Sequence, residues 1–419
     1  MQQPEASPRT ANAQRKTILV ISQTYVPDPA AVGQYMHEAA ADLVKRGHRV
    51  KVYAADRGYE DTSQKFARRE TLDGVEIRRL PFSSFGKGSI AIRLLGGMLF
   101  TIQAMLRGVW TGKLGAVLVS TSPPMAPMAA LFIRLLRRCP VVFWAMDINP
   151  DQMIAMGKVG ERSLPARLFD AMIKSTLKRS AKTVTLDRFM GQRLEAKVPL
   201  HDKLEVMPPW PLADHLEPVE HADNPFREEH GLAGKRVVMY SGNISPAHPV
   251  DTVLDAARRV QDLDSLVFLF IGGGLGKQRI DDYIAEHGLT NVRTLPYQPL
   301  DRLRFSLSAA DVHLVAMGED MIGIVHPCKV YGVLGVRRPV LALGPAESHV
   351  GEIVERYDAG WRIGHGDLDA AEALFREFAA SPDEAFSDKG HNAESAMQQA
   401  FSKQRLCGRF SDVVEGVLR

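Results

Sequence analysis

The feature that most limits this chain is a rhythm that runs twice. Residues 17–22, TILVIS, form an apolar run of strand length. The loop QTYVPDPAAVGQ follows, then YMHEAAADLVKRG with its apolar residues at helical spacing up to Gly47, then HRVKVYAA with strand alternation. Strand, helix and strand in that order predict a βαβ unit and a parallel sheet. Further strands are expected at 75–80, 116–120, 140–145 and 182–186. After the Pro- and charge-rich segment PPWPLADHLEPVEHADNPF the rhythm restarts. KRVVMYSG, PVDTVLDAARRVQDL, SLVFLFIG, KQRIDDYIAEHG, VRTLPY, DVHLVAM and PVLALG alternate strand and helix patterns. The fold class expected is α/β, two doubly wound domains in tandem facing a central cleft.

A chain of 419 residues suits two domains of that kind. The expected boundaries are a disordered tail over 1–16, an N-terminal domain over 17–212, a linker over 213–226, a C-terminal domain over 227–395 and a C-terminal helix over 396–419 that returns to the first domain. The tail is polar and lacks the apolar core of a secretory signal. Cys139, Cys328 and Cys407 are odd in number and far apart, so no disulfide framework or CxxC zinc pair follows, and a cytoplasmic location is expected. A net charge of +3 excludes a polycation built for nucleic acid.

Chemistry is most concentrated in GEDMIGIVHPCKVYGVLG, residues 318–335. His326 and Cys328 are two apart and could ligate zinc, but no further ligand pair is visible. Cys328 as a nucleophile lacks an aligned base beyond His326. The bland reading makes Cys328 a small buried filler. Lys329 opens a helix pattern, where a lysine and unpaired N–H groups suit a diphosphate. FIGGGLGKQ fails the phosphate-loop pattern: position 271 is Ile, and Gln278 follows Lys277. Gly272 and Gly273 then read as a tight strand-to-helix turn. In MYSGN, Gly242 ends a strand where backbone can approach a ligand, with Asn243 beside it. Gly33 precedes a helix, a further anion seat. In WAMDINPD, Asp147 stands at a strand's carboxyl end, where a carboxylate could bind a hydroxyl or act as a base. Asp151 reads equally well as a helix cap.

One region departs from the average. Residues 77–146 contain no Asp or Glu and nine basic residues: Arg78, Arg79, Lys87, Arg93, Arg107, Lys113, Arg134, Arg137 and Arg138. The apolar run between Arg93 and Arg107 is thirteen residues, short of the roughly 20 that span a bilayer. It reads as an amphipathic or core helix with basic edges that could lie on anionic lipid, with Arg93, Arg107 and Lys113 facing the membrane.

Together these segments resemble a family-4 glycosyltransferase of the GT-B fold, of the bacterial branch that builds cell-surface polysaccharide on a polyprenyl-diphosphate carrier. VGQYMHEAAADLVKRGHRVKVYAA, VLVSTSPPM, WAMDINPD, VMYSGNISPAHPVDTVLDAARRV, FLFIGGG, LPYQPLDRL, SAADVHLVAM and HPCKVYGVLGVRRPVLALGP carry the likeness by their order and spacing. The resemblance implies two Rossmann-like domains and a nucleotide-sugar donor, of UDP or GDP type, held by the C-terminal one. It implies a lipid-linked saccharide acceptor on the N-terminal domain at the inner membrane face, and transfer with retention and no required metal or other cofactor. It puts Gly33, Gly242, Asn243, His248, His326 and Lys329 at the donor diphosphate. Gly272, Gly273, Tyr297 and Gln298 fall on the nucleobase side, and Asp147, Glu319 and Asp320 are the catalytic candidates.

Three positions depart from the family pattern. Pro246 and His248 stand where an Arg and a Lys are usual, and Gly332 stands where a ribose-binding Glu is usual. Such departures fit a degenerate transferase serving as a scaffold in polysaccharide assembly; a nucleotide-sugar 2-epimerase of the same fold is the other alternative, against which the acid-free basic stretch argues.

Overall fold

The computed structural model describes residues 16–28, 30–58, 61–86, 90–212 and 217–418. The expected tail therefore lies, apart from its last residue, outside the described residues, as do Lys87 and positions 213–216 of the expected linker. The chain divides into two compact units, residues 1–209 with 404–419, and residues 210–403.

The first unit is built on eight strands: β1 (Thr17–Ile21), β2 (Arg49–Ala55), β3 (Arg69–Leu72), β4 (Val75–Leu80), β5 (Leu114–Ser120), β6 (Val141–Ala145), β7 (Lys182–Thr185) and β8 (Leu204–Val206). Their order is β3-β4-β2-β1-β5-β6-β7-β8. All neighbours are parallel except the β3–β4 pair. Every residue of β1 and of β6 is buried, as expected of strands covered on both faces by helices. The first helices are α1 (Ala31–Lys45), α2 (Ile90–Val109), α3 (Ala126–Arg137) and α4 (Leu164–Arg179). Helices α2 and α3 pack on one another, and α3 on α4. Gly108 lets the first pair close up, since a Cβ there would stand 2.2 Å from Ile133 Cδ1.

The C-terminal helix Lys403–Glu415 lies almost entirely in this first unit. Phe410 packs on Trp144 at a centroid distance of 4.1 Å. Arg46 Nη1 reaches Asp412 at 2.6 Å and Glu415 at 2.8 Å. The unit is thus closed by the end of the chain, through an aromatic contact and a partly exposed ion cluster.

The second unit carries six strands, β9 (Arg236–Ser241), β10 (Leu266–Ile271), β11 (Val292–Leu295), β12 (Val312–Ala316), β13 (Val340–Leu343) and β14 (Gly360–Ile363). The order is β11-β10-β9-β12-β13-β14, parallel throughout. Strand β14 and the short β3 and β8 were not expected from the sequence. Residues 217–226, the rest of the expected linker, are folded onto this unit. Val219 N donates to Ser308 Oγ at 3.0 Å, Asn224 Nδ2 to the Phe305 carbonyl at 2.9 Å, and Phe226 is fully buried. The Pro and charge content that suggested a linker serves local packing instead: Asn224 caps the short helix Pro225–Glu229.

Candidate functional site

In a doubly wound sheet, ligands sit beyond the carboxyl ends of the strands, where the strand order reverses. In the second unit that point lies between β9 and β12. Three loops converge there. A Cβ on Gly272 would stand 2.0 Å from the Gly242 carbonyl oxygen, and one on Gly274 would stand 2.2 Å from Asn243 Oδ1. Gly242 and Gly272 also hold φ of 128° and 140°, which side chains rarely adopt. Gly318 N donates to the Ala247 carbonyl at 3.1 Å, tying the loop after β12 to the loop after β9. Gly272 thus lets backbone meet backbone, while Gly242 makes room for the Lys329 side chain and Gly273 for the Tyr297 ring.

Lys329 enters this junction from the start of the helix Lys329–Gly335. Its Nζ donates to the Asn243 carbonyl at 2.9 Å and to the Tyr240 hydroxyl. The ammonium also stands 3.8 Å from the centre of the Tyr240 ring. Among the described residues no carboxylate pairs with it. Burial pushes its pKa down from 10.5 to about 7. A cation held by a carbonyl, a phenol and a π face, with no counter-ion, is a place for an anion. The helix it opens has only seven residues, so the positive charge comes from the side chain rather than from a helix dipole.

His248 is close enough to feel that charge. Burial and then Lys329 hold its pKa down, to about 3, while a hydrogen bond to the Ala316 backbone works weakly the other way. Its Nδ1 is buried without a partner. The imidazole is neutral, so any part it takes at a diphosphate is as a hydrogen-bonding group rather than as a charge. His326 is buried and turns toward Tyr331, whose hydroxyl lies 2.7 Å from its Nε2; the same hydroxyl meets His349 Nε2 at 2.7 Å. His326 is thus engaged in a His–Tyr–His chain behind the loop. Cys328 points its thiol at the His326 carbonyl, 3.5 Å away. Among the described residues no group of three or more His, Cys, Asp or Glu stands close enough to hold a metal ion.

Tyr297 lies against Gly273, whose Cβ position would be 3.1 Å from the ring, and is 55% exposed. Gln298 donates to the Pro296 carbonyl at 3.0 Å. The four residues expected on the base side are therefore near one another. Glu319 and Asp320 form an exposed turn directly after β12. Gly332, at the position usual for a ribose-binding acid, leaves open space beside the Leu307 side chain.

In the first unit, Asp147 follows β6 and lines a narrow pocket with Thr121, Asn149, Phe143, Phe169 and Met172. Burial raises its pKa to about 6. Its backbone N–H donates to Thr121 Oγ1 at 3.4 Å. Gly33 sits within the first turn of α1, not in an open loop. A Cβ there would stand 2.9 Å from Tyr25 Cα, so this glycine first serves the packing of α1 on the β1–α1 loop. The sequence put Gly33 just before the helix, and the structure puts it inside the helix's first turn. Arg93, Arg107 and Lys113 are exposed. The sequence reading missed Tyr240, the aromatic floor under Lys329. Its place in the continuous apolar run VVMY showed only that it was a buried strand residue.

The same unit exposes an apolar face. Of the nineteen large hydrophobic residues that stand exposed among the described residues, sixteen belong to the first unit and three to the second. Leu94, Met98, Ile102 and Leu106 follow one another at four-residue steps along α2, with Trp110 just past its end, while Phe100, Thr101 and Ala104 are buried. Leu135 and Leu136 end α3, and Leu164 and Leu168 open α4. Residues 91–109 are long and apolar enough to cross a membrane by composition, yet a third of the helix is buried against its neighbours.

Comparison with known proteins agrees with this architecture. Residues 30–210 match the glycosyl transferase 4-like domain and residues 223–327 match glycosyl transferases group 1. The probable glycosyltransferase WbjE of Pseudomonas aeruginosa is 25% identical over 72% of this chain and 74% of its own length. WcaI of Escherichia coli, a putative colanic acid biosynthesis glycosyl transferase, is 26% identical over 81% of this chain and 86% of its own. Sucrose-phosphate synthase from Thermosynechococcus elongatus superposes with a TM-score of 0.77 at 16% identity, over 96% of this chain and 99% of its own. WaaG, a glycosyltransferase of lipopolysaccharide biosynthesis, superposes with a TM-score of 0.68 at 15% identity, over 95% and 100%. Anabaena HepE, solved with UDP-glucose, gives 0.68 at 12%, over 96% and 99%. With both halves matched to glycosyltransferase domains in the expected order, the chain belongs to the family-4 glycosyltransferases of the GT-B fold.

Proposed function

We propose that the protein transfers a sugar from a nucleotide-sugar donor to a lipid-linked saccharide acceptor in bacterial cell-surface polysaccharide biosynthesis, with retention of anomeric configuration. The observation that carries the donor half is the uncompensated ammonium of Lys329 among the loops after β9 and β12. In the reaction the bond from the anomeric carbon to the diphosphate oxygen breaks, and a bond from that carbon to the acceptor oxygen forms. Negative charge grows on the departing diphosphate, and Lys329 stabilises it without needing a metal. The acceptor's proton leaves with the diphosphate. Asp147 is suited to accept a hydrogen bond from the acceptor hydroxyl and hold it in place.

The acceptor half rests on the first unit. Its exposed apolar row, in a stretch without a single acid, suits a membrane surface with anionic lipid. The protein would then work at the cytoplasmic face of the membrane, where a polyprenyl-diphosphate acceptor is anchored. Relatives favour the same reading: HepE binds UDP-glucose, and WcaI is a putative colanic acid enzyme. The test is transfer of radiolabelled sugar from UDP- and GDP-sugars into lipid-extractable product, using membranes that contain lipid-linked acceptors. Label in the lipid fraction supports the proposal. Sugar-nucleotide turnover without any acceptor would favour the epimerase reading, and no turnover or nucleotide binding would favour the scaffold.

A further inference from the structure

A basic cavity lies in the first unit, among residues of β2, β4 and the end of α2. This open pocket of about 360 Å³ is lined by Lys51, Tyr53, Arg78, Leu106, Arg107 and Trp110, with Thr111 and Gly112 at its edge. Three of those residues are cations and none is an acid. Lys51 is buried and shares Glu76 with Arg49, at 3.3 Å and 2.6 Å. That leaves Arg78 and Arg107 with no acidic partner among the described residues. Tyr53 fixes the wall by donating its hydroxyl to the Arg107 carbonyl at 3.1 Å, with Thr111 Oγ1 at 2.7 Å. Two guanidinium groups that share a cavity repel one another until an anion stands between them. The planar guanidinium, with its fork of N–H donors, suits phosphate oxygens.

The pocket's other wall says what carries the anion. Leu106 and Trp110 are the last two members of the exposed row that begins at Leu94. That row runs about 24 Å along α2 and just past its end. Trp110 is 87% exposed, the extreme value for a large hydrophobic residue among those described. An indole beside a cationic pocket, at the end of an apolar stripe, matches the boundary between headgroups and acyl chains. A soluble phosphate would leave Leu106 and Trp110 uncovered.

We infer that this pocket is a headgroup site, taking the phosphate of an anionic phospholipid between Arg78 and Arg107 with the lipid's glycerol and first methylenes on Leu106 and Trp110. The inference rests on the membrane reading of the first unit and adds one localised contact to it. The contact would seat the end of α2 at a fixed depth rather than let the whole face float on diffuse charge.

The test uses the full chain and vesicles of phosphatidylcholine, alone or with a minority of phosphatidylglycerol. Binding is read by co-sedimentation and by the emission shift of Trp110. Salt of about 1 M shortens the screening length to roughly 3 Å, so diffuse attraction is lost while a seated ion pair persists. The parent should keep a preference for anionic vesicles in that salt. Arg78→Gln with Arg107→Gln should lower binding about 30-fold at low salt, from about 1 kcal/mol per arginine, and abolish the high-salt preference. Arg93→Gln with Arg134→Gln, the same charge change outside the pocket, should leave the high-salt preference intact. Each pair should melt at the parent's temperature, because Arg78 and Arg107 support no ion pair in the fold. Equal loss of the high-salt preference in both pairs would overturn the site. So would glycerol 3-phosphate that shifts Trp110 emission as vesicles do, since the ligand would then be a soluble phosphate. Equal binding to neutral and anionic vesicles would remove the site and keep the membrane reading. No binding to any vesicle would remove both.

Discussion

The two units share a parallel, doubly wound sheet and differ in what they leave uncovered. The second exposes three large hydrophobic residues among those described, and two of them, Leu275 and Tyr297, belong to the loops around the site. Its uncompensated feature is a charge, the ammonium of Lys329. The first unit exposes sixteen large hydrophobic residues, most of them on α2, α3 and α4. Its uncompensated feature is apolar area with arginines at the rim. The same layer architecture can therefore carry a buried cation at its strand ends or an exposed apolar helix face, because the sheet fixes only the inner face of each helix.

The comparison can be broken by substitutions that act on one unit alone. Lys329→Ala should weaken nucleoside-diphosphate binding by about 2–3 kcal/mol, roughly 100-fold, measured by calorimetry, because it removes a charge-assisted contact from a partly enclosed site. Unchanged affinity would take Lys329 out of the site. Leu94→Gln with Ile102→Gln should lower vesicle binding by about 2 kcal/mol, roughly 30-fold, and leave the melting temperature unchanged, since both side chains are exposed in the folded protein. A large loss of stability would mean that these residues are covered by protein. Gly272→Ala should cost about 2 kcal/mol of stability or more, because the new methyl group would meet the Gly242 carbonyl at a positive φ.

The pH dependence is smaller per unit and runs in a fixed direction. Lys329 keeps its proton up to about pH 10.5 when unfolded and to about pH 7 when folded. Between those values the unfolded chain holds one more proton, so this group makes stability rise with pH. A bound diphosphate restores the charge, so binding above about pH 7 takes up a proton. Affinity should then fall by up to tenfold per pH unit, and titrations in buffers of different ionisation enthalpy should show the uptake. Cys328→Ser should have the smallest effect, within about 0.5 kcal/mol, on melting and activity alike. Loss of all activity with an intact fold would restore the thiol as a catalytic group.

Much of the fold was legible in the residues. TILVIS, PVVFWA and SLVFLFIG are continuous apolar runs bounded by turn residues, and each is a buried strand. Strands β3, β8 and β14 were not legible, because RETL, LEV and GWRI are short and mixed in polarity. The segment after Pro209 looked like a linker because Pro and charge carry the same signal in a loop and in a capped, packed entry to a domain. Lys329 was legible as the residue that opens a helix. Its tyrosine floor was not, since a strand residue's partner across the sheet end depends on tertiary placement. Helix α2 was read as an amphipathic or core helix, but both of its faces are apolar. Only burial separates Phe100 and Ala104 from Met98 and Ile102. His248 stands where a Lys is usual, and only its burial beside Lys329 shows that its ring is uncharged.

The central claim is that the second unit holds a nucleotide-sugar diphosphate on Lys329. Calorimetric titration of the parent and Lys329→Ala proteins with UDP, GDP, ADP and dTDP, with and without EDTA, tests it most directly. The account predicts binding of one uridine or guanosine diphosphate to the parent, insensitive to EDTA and about 100-fold weaker in the variant. Equal binding by the two proteins, or a parent that binds none of the four, would contradict it.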